Sequence, residues 1–105
     1  MVSKQFQVFR NPYPESAEAS PYFVVMQSDR FDRYASVVVA PLVASHATAK
    51  ARLFHPRFEI EGSEYAIDML QIGAMPRRDL GAPVATLDRY RVIDAYDALI
   101  SGAWS

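Results

Sequence analysis

The sequence has no cysteine, only four glycines and two histidines, and no long apolar run. Without cysteine the chain cannot form disulfides, thiolate nucleophiles or thiolate metal sites, and this agrees with a reducing compartment. No segment approaches the roughly 18 consecutive apolar residues that a membrane span needs. The first residues, MVSKQFQVF, contain no apolar signal core. We therefore expect a cytoplasmic protein with no membrane association.

The sequence also has no marked excess of positive or negative charge. Eleven Lys and Arg residues stand against 12 Asp and Glu residues, which gives a formal net charge of −1. Sequence-independent binding to nucleic acid recruits a basic excess, so we expect no direct nucleic-acid binding. With 105 residues, half of them apolar, the chain is long enough for one modest core. We expect a single domain over residues 1–105.

The motifs of common catalytic and metal sites are absent as well. His46 and His55 lie nine residues apart, which does not match the HxH or HExxH spacing of metal ligands. No serine stands in GxSxG, and the glycines form no phosphate-binding loop. Glu59 and Glu61 belong to a cluster of carboxylates, but they alternate with apolar residues as the solvent face of a strand does. We expect no metal and no cofactor.

Most of the chain has the patterns of β-strands. Two apolar runs, YFVVMQ and SVVVAPL, are typical of central strands that are buried on both faces. RFEIEGSEYAIDML alternates on both sides of a Glu-Gly-Ser turn and predicts a hairpin. NPYPESAEASP holds three prolines and predicts a loop without regular structure. The predicted strands cover residues 5–9, 22–27 and 36–42, the hairpin over 57–70, and residues 71–76.

The last segment predicts one amphipathic helix. Asp88 is a suitable N-cap, and no Gly or Pro follows it until Gly102. Strands followed by one helix indicate an α+β domain whose helix covers one side of the sheet. The apolar stripe of this helix is predicted to contain Val92, Tyr96, Leu99 and Ala103, with Ile93 and Ile100 beside it.

Two loops carry residues whose role the sequence leaves open. Phe31 stands among Arg30, Asp32 and Arg33, so it either anchors a partner or folds back into the core. The segment 77–79, Arg-Arg-Asp, is either a solvated turn or a contact for an acidic partner.

The only tryptophan, Trp104, follows Gly102 in the final GAWS. Its ring and N–H suit it as an anchor for a partner, whereas the alternative is that it folds back over the helix and caps the core.

Taken in order, several segments resemble the CcdB family of bacterial toxins, one half of a toxin–antitoxin pair. They are QFQVF, VVMQSDRFD followed by VVVAPL, RFEIEGSEY, and VATLDRYRVIDAYDALISGAW. Together they span nearly the whole chain. The most specific piece is made of Gln27, Ser28, Asp29, Asp32, Pro41 and Leu42.

This resemblance implies a small SH3-like antiparallel β barrel with an extra β-sheet wing and one C-terminal α-helix, assembled as a homodimer. It also implies a toxin that is not an enzyme. Toxins of the family bind the GyrA subunit of DNA gyrase through the end of the C-terminal helix and trap gyrase on cleaved DNA. A partly disordered antitoxin covers the QSD loop and the helix and displaces gyrase.

By the same resemblance, gyrase binding is expected at Gly102, Ala103, Trp104 and Ser105. Antitoxin binding is expected at Ser28, Arg30, Phe31, Asp32 and Leu99.

The chain departs from the family at both predicted sites. Well-studied members end in Trp-Gly-Ile, whereas Trp104 is displaced by one position, about 100° on a continuing helix. A frayed terminus would absorb this difference. Arg30 and Phe31 replace aliphatic antitoxin contacts, so the antitoxin is expected to offer acidic or aromatic complements.

Two alternative functions stay open. One is a family member that binds an antitoxin without poisoning gyrase, an alternative that rests on the displaced tryptophan. The other is an endoribonuclease like the related MazF-type toxins, which share the barrel and the dimer. RNA cleavage without a metal needs a base, an acid and a phosphate-binding arginine, for which the candidates are Ser28, Arg30 and Arg33.

Overall fold

The computed structural model describes residues 4–45 and 55–102. In this part of the chain, seven strands form one antiparallel sheet that curls into a nearly closed small barrel, and the last element is a helix. The strands are β1 (Gln7–Arg10), β2 (Tyr22–Val25), β3 (Ser36–Ala44), β4 (Arg57–Ile60), β5 (Ser63–Ile67), β6 (Gly73–Pro76) and β7 (Pro83–Thr86), and the helices are α1 (Pro14–Ala17) and α2 (Arg89–Ser101).

The long strand β3 organises the sheet. The strands follow the order β4-β5-β3-β2-β1-β7, and β6 also pairs with β3. The first half of β3 pairs with β6, for example Val37 with Met75, and its second half pairs with β5, for example Leu42 with Ile67. The β4–β5 hairpin therefore extends from the end of β3 as the extra wing. The fold class predicted from the sequence, an α+β barrel with one C-terminal helix, is confirmed.

Both faces of the central strands are buried, as their apolar runs predict. Val24 and Val25 are neighbours on β2, yet they belong to two different clusters on opposite faces of the sheet. The first cluster includes the buried residues of α2. The second cluster consists of Phe9, Val25, Val37, Val39 and Met75. Covering both faces is what allows β2 and β3 to be apolar throughout.

Helix α2 begins and ends where the sequence predicts. The Asp88 carboxylate accepts a hydrogen bond from the backbone N–H of Tyr90 at 3.0 Å. Gly102 ends the helix with φ of 67° and donates its N–H to the Ala98 carbonyl oxygen. In the described part of the chain, no helix is long and apolar enough to cross a membrane.

The predicted apolar face of α2 is wrong at Tyr96, and Ile100, predicted beside the stripe, is 65% exposed as well. Val92 and Ala95 are the buried residues of the helix, whereas the Tyr96 side chain is 42% exposed. Ala95 packs against the sheet, and Tyr96, the next residue and about 100° further round the helix, lies on the side of the helix that reaches solvent. Ala103 lies outside the described residues.

Three local predictions also need correction. The proline-rich segment contains one helical turn, α1, with Pro14 at its first position, where the missing N–H costs nothing. Strand β3 continues past Pro41 to Ala44. Strand β7 was not predicted at all: it lies at the end of the strand order and starts at Pro83, a residue tolerated at strand starts and edges.

Candidate functional site

The loop that follows β2 faces helix α2 across a cavity of about 300 Å³, which we call the loop–helix groove. Its loop side holds Phe31, and its helix side holds Ile93 and Tyr96. Most of the lining is apolar, and a few amide and hydroxyl groups stand among it. The full lining is Gln5, Phe6, Met26, Gln27, Ser28, Phe31, Val92, Ile93 and Tyr96.

A short 3₁₀ turn over Asp29–Phe31 shapes the loop side of the groove. The Ser28 hydroxyl accepts a hydrogen bond from the Arg30 N–H at 3.2 Å and caps this turn. The Asp29 carboxylate accepts the Gln5 N–H at 2.7 Å. These two contacts use the Ser28 and Asp29 side chains to fix the loop to itself and to the segment before β1.

Two further side chains, Gln27 and Arg77, bind the backbone of this loop. Gln27 donates its amide N–H to the Phe31 carbonyl oxygen at 3.1 Å and accepts the Val38 N–H at 3.0 Å. Arg77 donates from its guanidinium to the carbonyl oxygens of Tyr34 at 2.9 Å and Phe31 at 3.0 Å. Arg77 is half-buried, so the interpretation as a solvated turn is wrong for this residue. Arg78 is exposed, and both interpretations stay open for it.

The sequence left two roles open for Phe31, a partner anchor or a core residue, and its position in the structure is intermediate between them. Its side chain is 48% exposed, it lines the groove with one part of its ring, and it contacts Tyr34 with a centroid distance of 6.1 Å. The Tyr34 side chain is 63% exposed. The loop therefore presents two neighbouring aromatic rings, and one of them forms a wall of the groove.

The structure brings together some of the residues predicted to bind an antitoxin. Ser28 and Phe31 line the groove, Arg30 is exposed beside it, and Asp32 is half-buried in the same loop. Leu99 is half-buried and packs against the core, so the helix residues at the groove are different ones. The helical spacing of the sequence predicts Tyr96 in the core, so it gives no sign that this side chain lines the groove.

The predicted gyrase-binding end is described only in part. Gly102 is exposed and ends α2 in the left-handed conformation. Ala103, Trp104 and Ser105 lie outside the described residues, and both interpretations of Trp104 stand.

A second polar network ties the wing to the barrel. Glu61, at the turn of the β4–β5 hairpin, accepts a hydrogen bond from the Tyr22 hydroxyl at 2.6 Å and forms an ion pair with Arg10. Burial, together with the hydrogen bond and the negative charge of Glu61, raises the pKa of Tyr22 to about 12. The alternating sequence pattern predicts Glu61 on a solvent face. The structure gives this carboxylate the structural role of holding the hairpin.

Two other titratable groups, Tyr13 and His55, also have structural partners. The Tyr13 hydroxyl donates to Asp79 at 2.6 Å, and this hydrogen bond raises the pKa of Tyr13. His55 is buried, and its Nδ1 lies 3.2 Å from the Ile67 carbonyl oxygen, which gives this imidazole a structural position in the barrel. Over residues 4–45 and 55–102 there is no group of three or more metal-ligating side chains. His46 lies outside that part of the chain.

The three residues considered for RNA cleavage share the loop. The Ser28 hydroxyl caps the 3₁₀ turn through Arg30, and the side chains of Arg30 and Arg33 are exposed. The loop therefore places two guanidinium groups at the surface, beside the groove.

Comparisons with known proteins identify the family of this chain. No curated protein matches this chain. Among solved structures, an endoribonuclease in complex with its cognate antitoxin from Mycobacterial species superposes with a TM-score of 0.76 at 14% sequence identity, over 98% of this chain and 99% of that chain. At this identity the likeness shows the fold alone. The family described as CcdB protein matches residues 5–102. The chain therefore belongs to the CcdB family, the toxins of a toxin–antitoxin system.

Proposed function

We propose that this protein is a toxin whose cognate antitoxin binds in the loop–helix groove and whose target is DNA gyrase. The observation that carries the antitoxin site is the groove itself. Two elements far apart in the sequence, the 28–35 loop and α2, meet around an apolar cavity of about 300 Å³. Such a cavity suits the anchor residue of a chain that folds as it binds.

The groove has the composition of a protein-binding site. Phe31 and Tyr96 supply aromatic surface at the two sides, and Ile93 and Met26 supply aliphatic surface between them. Burying one large apolar side chain of a partner there contributes roughly 1.5–3 kcal/mol. Exposed aromatic residues beside arginines are the residue types that dominate binding energy at protein interfaces.

The gyrase part of the proposal rests on family membership and on the position of α2. Family toxins use the end of this helix to bind GyrA, and α2 ends at the exposed residue Gly102, two residues before Trp104. In this account the protein catalyses nothing. It traps gyrase after DNA cleavage, so the lethal chemistry belongs to gyrase. A homodimer would present two such helix ends to a two-fold symmetric target.

The antitoxin site is tested by measuring binding of the product of the adjoining reading frame with isothermal titration calorimetry. Ile93→Glu places a carboxylate in the apolar groove and is expected to weaken binding about a hundredfold, because the charge loses water without gaining a partner. Leu70→Glu is the matched control, since Leu70 is 61% exposed on the turn between β5 and β6. Equal affinity of both variants and the unaltered protein would contradict the groove as the binding site.

The role of the C-terminal residues in toxicity is tested by expressing the chain with and without residues 103–105 in the host. Removal of these residues is expected to restore growth while the melting temperature and the oligomeric state stay unchanged. Loss of folding on removal would instead support Trp104 as a cap of the core. Ordinary growth with the intact chain would indicate a family member that binds an antitoxin but does not poison gyrase.

The endoribonuclease alternative has one supporting observation, the fold likeness to an endoribonuclease. Incubating the purified protein with total cellular RNA tests it directly. Intact RNA is the expected result. Specific cleavage that is lost in Arg33→Gln and kept in Arg10→Gln would contradict the gyrase proposal.

A further inference from the structure

The loop–helix groove holds one side chain that simple oxidants modify. Met26 lines the groove and is half-buried, and it also packs against the core cluster that faces α2. Its thioether side chain therefore lies at the boundary between the core and an open cavity. A cavity of about 300 Å³ has ample room for a molecule as small as hydrogen peroxide.

Met26 has few competitors for an oxidant in this chain. The sequence has no cysteine, so no thiol reacts first. Two other methionines lie in the described ranges: Met69 is fully buried, and Met75 is 6% exposed within the second cluster. Met75 also lines two other cavities, which makes it the closest competitor. Among these three methionines, exposure favours reaction at Met26.

The reaction of a methionine with hydrogen peroxide is an oxygen transfer. A lone pair of the sulfur forms the S–O bond while the O–O bond of the peroxide breaks, so the sulfur is oxidised by two electrons and the peroxide is reduced. The second peroxide oxygen leaves as water. The product is a sulfoxide, whose oxygen is a polar hydrogen-bond acceptor, and methionine sulfoxide reductases convert it back to the thioether.

A sulfoxide at Met26 affects a bound partner more than the free protein. In the free protein the side chain reaches solvent, so water can hydrogen-bond to the new oxygen. A partner that fills the groove removes this water. Both amide side chains of the lining already donate to backbone groups, Gln5 to the Met26 carbonyl oxygen and Gln27 to the Phe31 carbonyl oxygen, each at 3.1 Å. A polar oxygen that is buried without a donor costs free energy, and this cost falls on the complex.

We propose that Met26 is a site of reversible oxidation and that its sulfoxide weakens binding of the antitoxin in the loop–helix groove. This inference rests on the proposed function and adds a chemical control to it. The oxidant is hydrogen peroxide or another two-electron oxidant of its class. Oxidation shifts the toxin towards its free form, and reduction of the sulfoxide restores the apolar groove.

The first measurement is the rate of oxidation at each methionine. The full-length protein is treated with dilute hydrogen peroxide, and peptide mass spectrometry follows the gain of one oxygen atom. Met26 is expected to react at least about tenfold faster than Met69 and Met75. The same reaction in concentrated urea, where all three side chains are exposed, is the control and is expected to give similar rates. Equal rates in the folded protein, or faster reaction of Met75, would overturn the inference.

The second measurement is antitoxin affinity after oxidation. Peroxide is removed before the product of the adjoining reading frame is added, and binding is followed by isothermal titration calorimetry. Oxidation of the unaltered protein is expected to weaken binding about tenfold, and treatment with methionine sulfoxide reductases is expected to restore it. Met26→Leu keeps an apolar side chain of similar volume and is expected to bind equally well before and after peroxide. Met75→Leu is the matched control and is expected to stay sensitive to peroxide.

A thermal melt of the oxidised protein separates an effect on the groove from an effect on the core. The melting temperature is expected to change by less than about 4 °C, because the sulfoxide oxygen of the free protein stays in contact with water. A larger fall would show that the sulfoxide disrupts the core, and this would overturn the inference.

The outcomes distinguish this inference from the proposed function. If Met26 oxidises selectively and binding does not change, while Ile93→Glu still weakens binding, the groove stands and the inference is overturned. If peroxide weakens binding of Met26→Leu as much as that of the unaltered protein, another residue is responsible, which overturns it as well. If the untreated protein does not bind the antitoxin at all, the proposed function fails and the inference fails with it.

Discussion

The Arg77 guanidinium donates a hydrogen bond to the Phe31 carbonyl oxygen at 3.0 Å, across 46 positions of sequence. The same guanidinium donates to the Tyr34 carbonyl oxygen at 2.9 Å. One arginine on the connection between β6 and β7 thus fixes both ends of the segment that carries the exposed aromatic pair. This contact fixes the backbone of the 28–35 loop to the connection between β6 and β7.

Arg77→Ala is expected to loosen the loop without unfolding the barrel. The carbonyl groups of Phe31 and Tyr34 lose a charged donor, a hydrogen bond worth roughly 1.5–3 kcal/mol. Hydrogen–deuterium exchange should be at least about tenfold faster at the amides of residues 28–35 in this variant. Arg78→Ala, one residue away and exposed, should leave these amides unchanged. Equal exchange in the two variants would show that Arg77 does not order the loop.

The core that faces helix α2 is expected to be sensitive to the loss of one side chain. Leu42 is fully buried between β5 and β2, and Leu42→Ala should lower the free energy of unfolding by about 2–5 kcal/mol. Leu70→Ala removes the same atoms from a side chain that is 61% exposed and should change stability by less than about 0.5 kcal/mol. Urea denaturation measures both values. Similar losses in the two variants would contradict the assigned core.

The hairpin turn of the wing depends on a glycine. Glu61 and Gly62 both have positive φ, 50° and 89°, as a two-residue hairpin turn requires. Gly62→Ala should cost about 1 kcal/mol of unfolding free energy, because a Cβ disfavours this backbone conformation even in open space. Gly81→Ala, where φ is not positive and no atom lies within 4 Å of the added Cβ, should be neutral or slightly stabilising. A neutral Gly62→Ala would contradict the turn conformation.

The stability of the protein should fall in alkaline solution partly through Tyr22. Its pKa is raised from 10.0 to about 12 in the folded state, so the folded state keeps the proton over a range in which the unfolded state releases it. This contribution is complete below pH 10 and is lost as the pH rises towards 12. Urea denaturation between pH 9 and 11 should therefore show a smaller decline for Tyr22→Phe than for the unaltered protein. An identical decline would show that Tyr22 ionises normally.

The sequence was sufficient to predict the elements that have strong local signals. Asp88 and Gly102 bound the helix because capping is a property of single residues in known positions. The alternation around Gly62 predicted the hairpin for the same reason. β7 could not be predicted, since four residues beginning with Pro83 carry too little pattern, and its strand identity comes from pairing with β1.

The site was harder to predict because its contacts are long-range. The composition of the 28–35 loop was enough to indicate Phe31 as a candidate binding residue. The residues of α2 opposite the loop were assigned to the core from helical periodicity alone. Helical spacing from Val92 allows either Ala95, three residues on, or Tyr96, four residues on, to be the next buried residue. Only the packing of the helix against the sheet determines that Ala95 is buried. Arg77 looked like part of a solvated turn, since nothing in the local sequence shows that β6 brings it beside β3 and the loop.

The most direct test of the account is a DNA cleavage assay with gyrase. Purified protein, supercoiled DNA, ATP and gyrase from the same host are incubated, stopped with denaturant and protease, and analysed for linear DNA. The account predicts linear DNA with the intact protein, its loss with Trp104→Ala, and its suppression by the antitoxin. No linear DNA at any protein concentration would contradict gyrase poisoning and leave an antitoxin-binding protein with a different target.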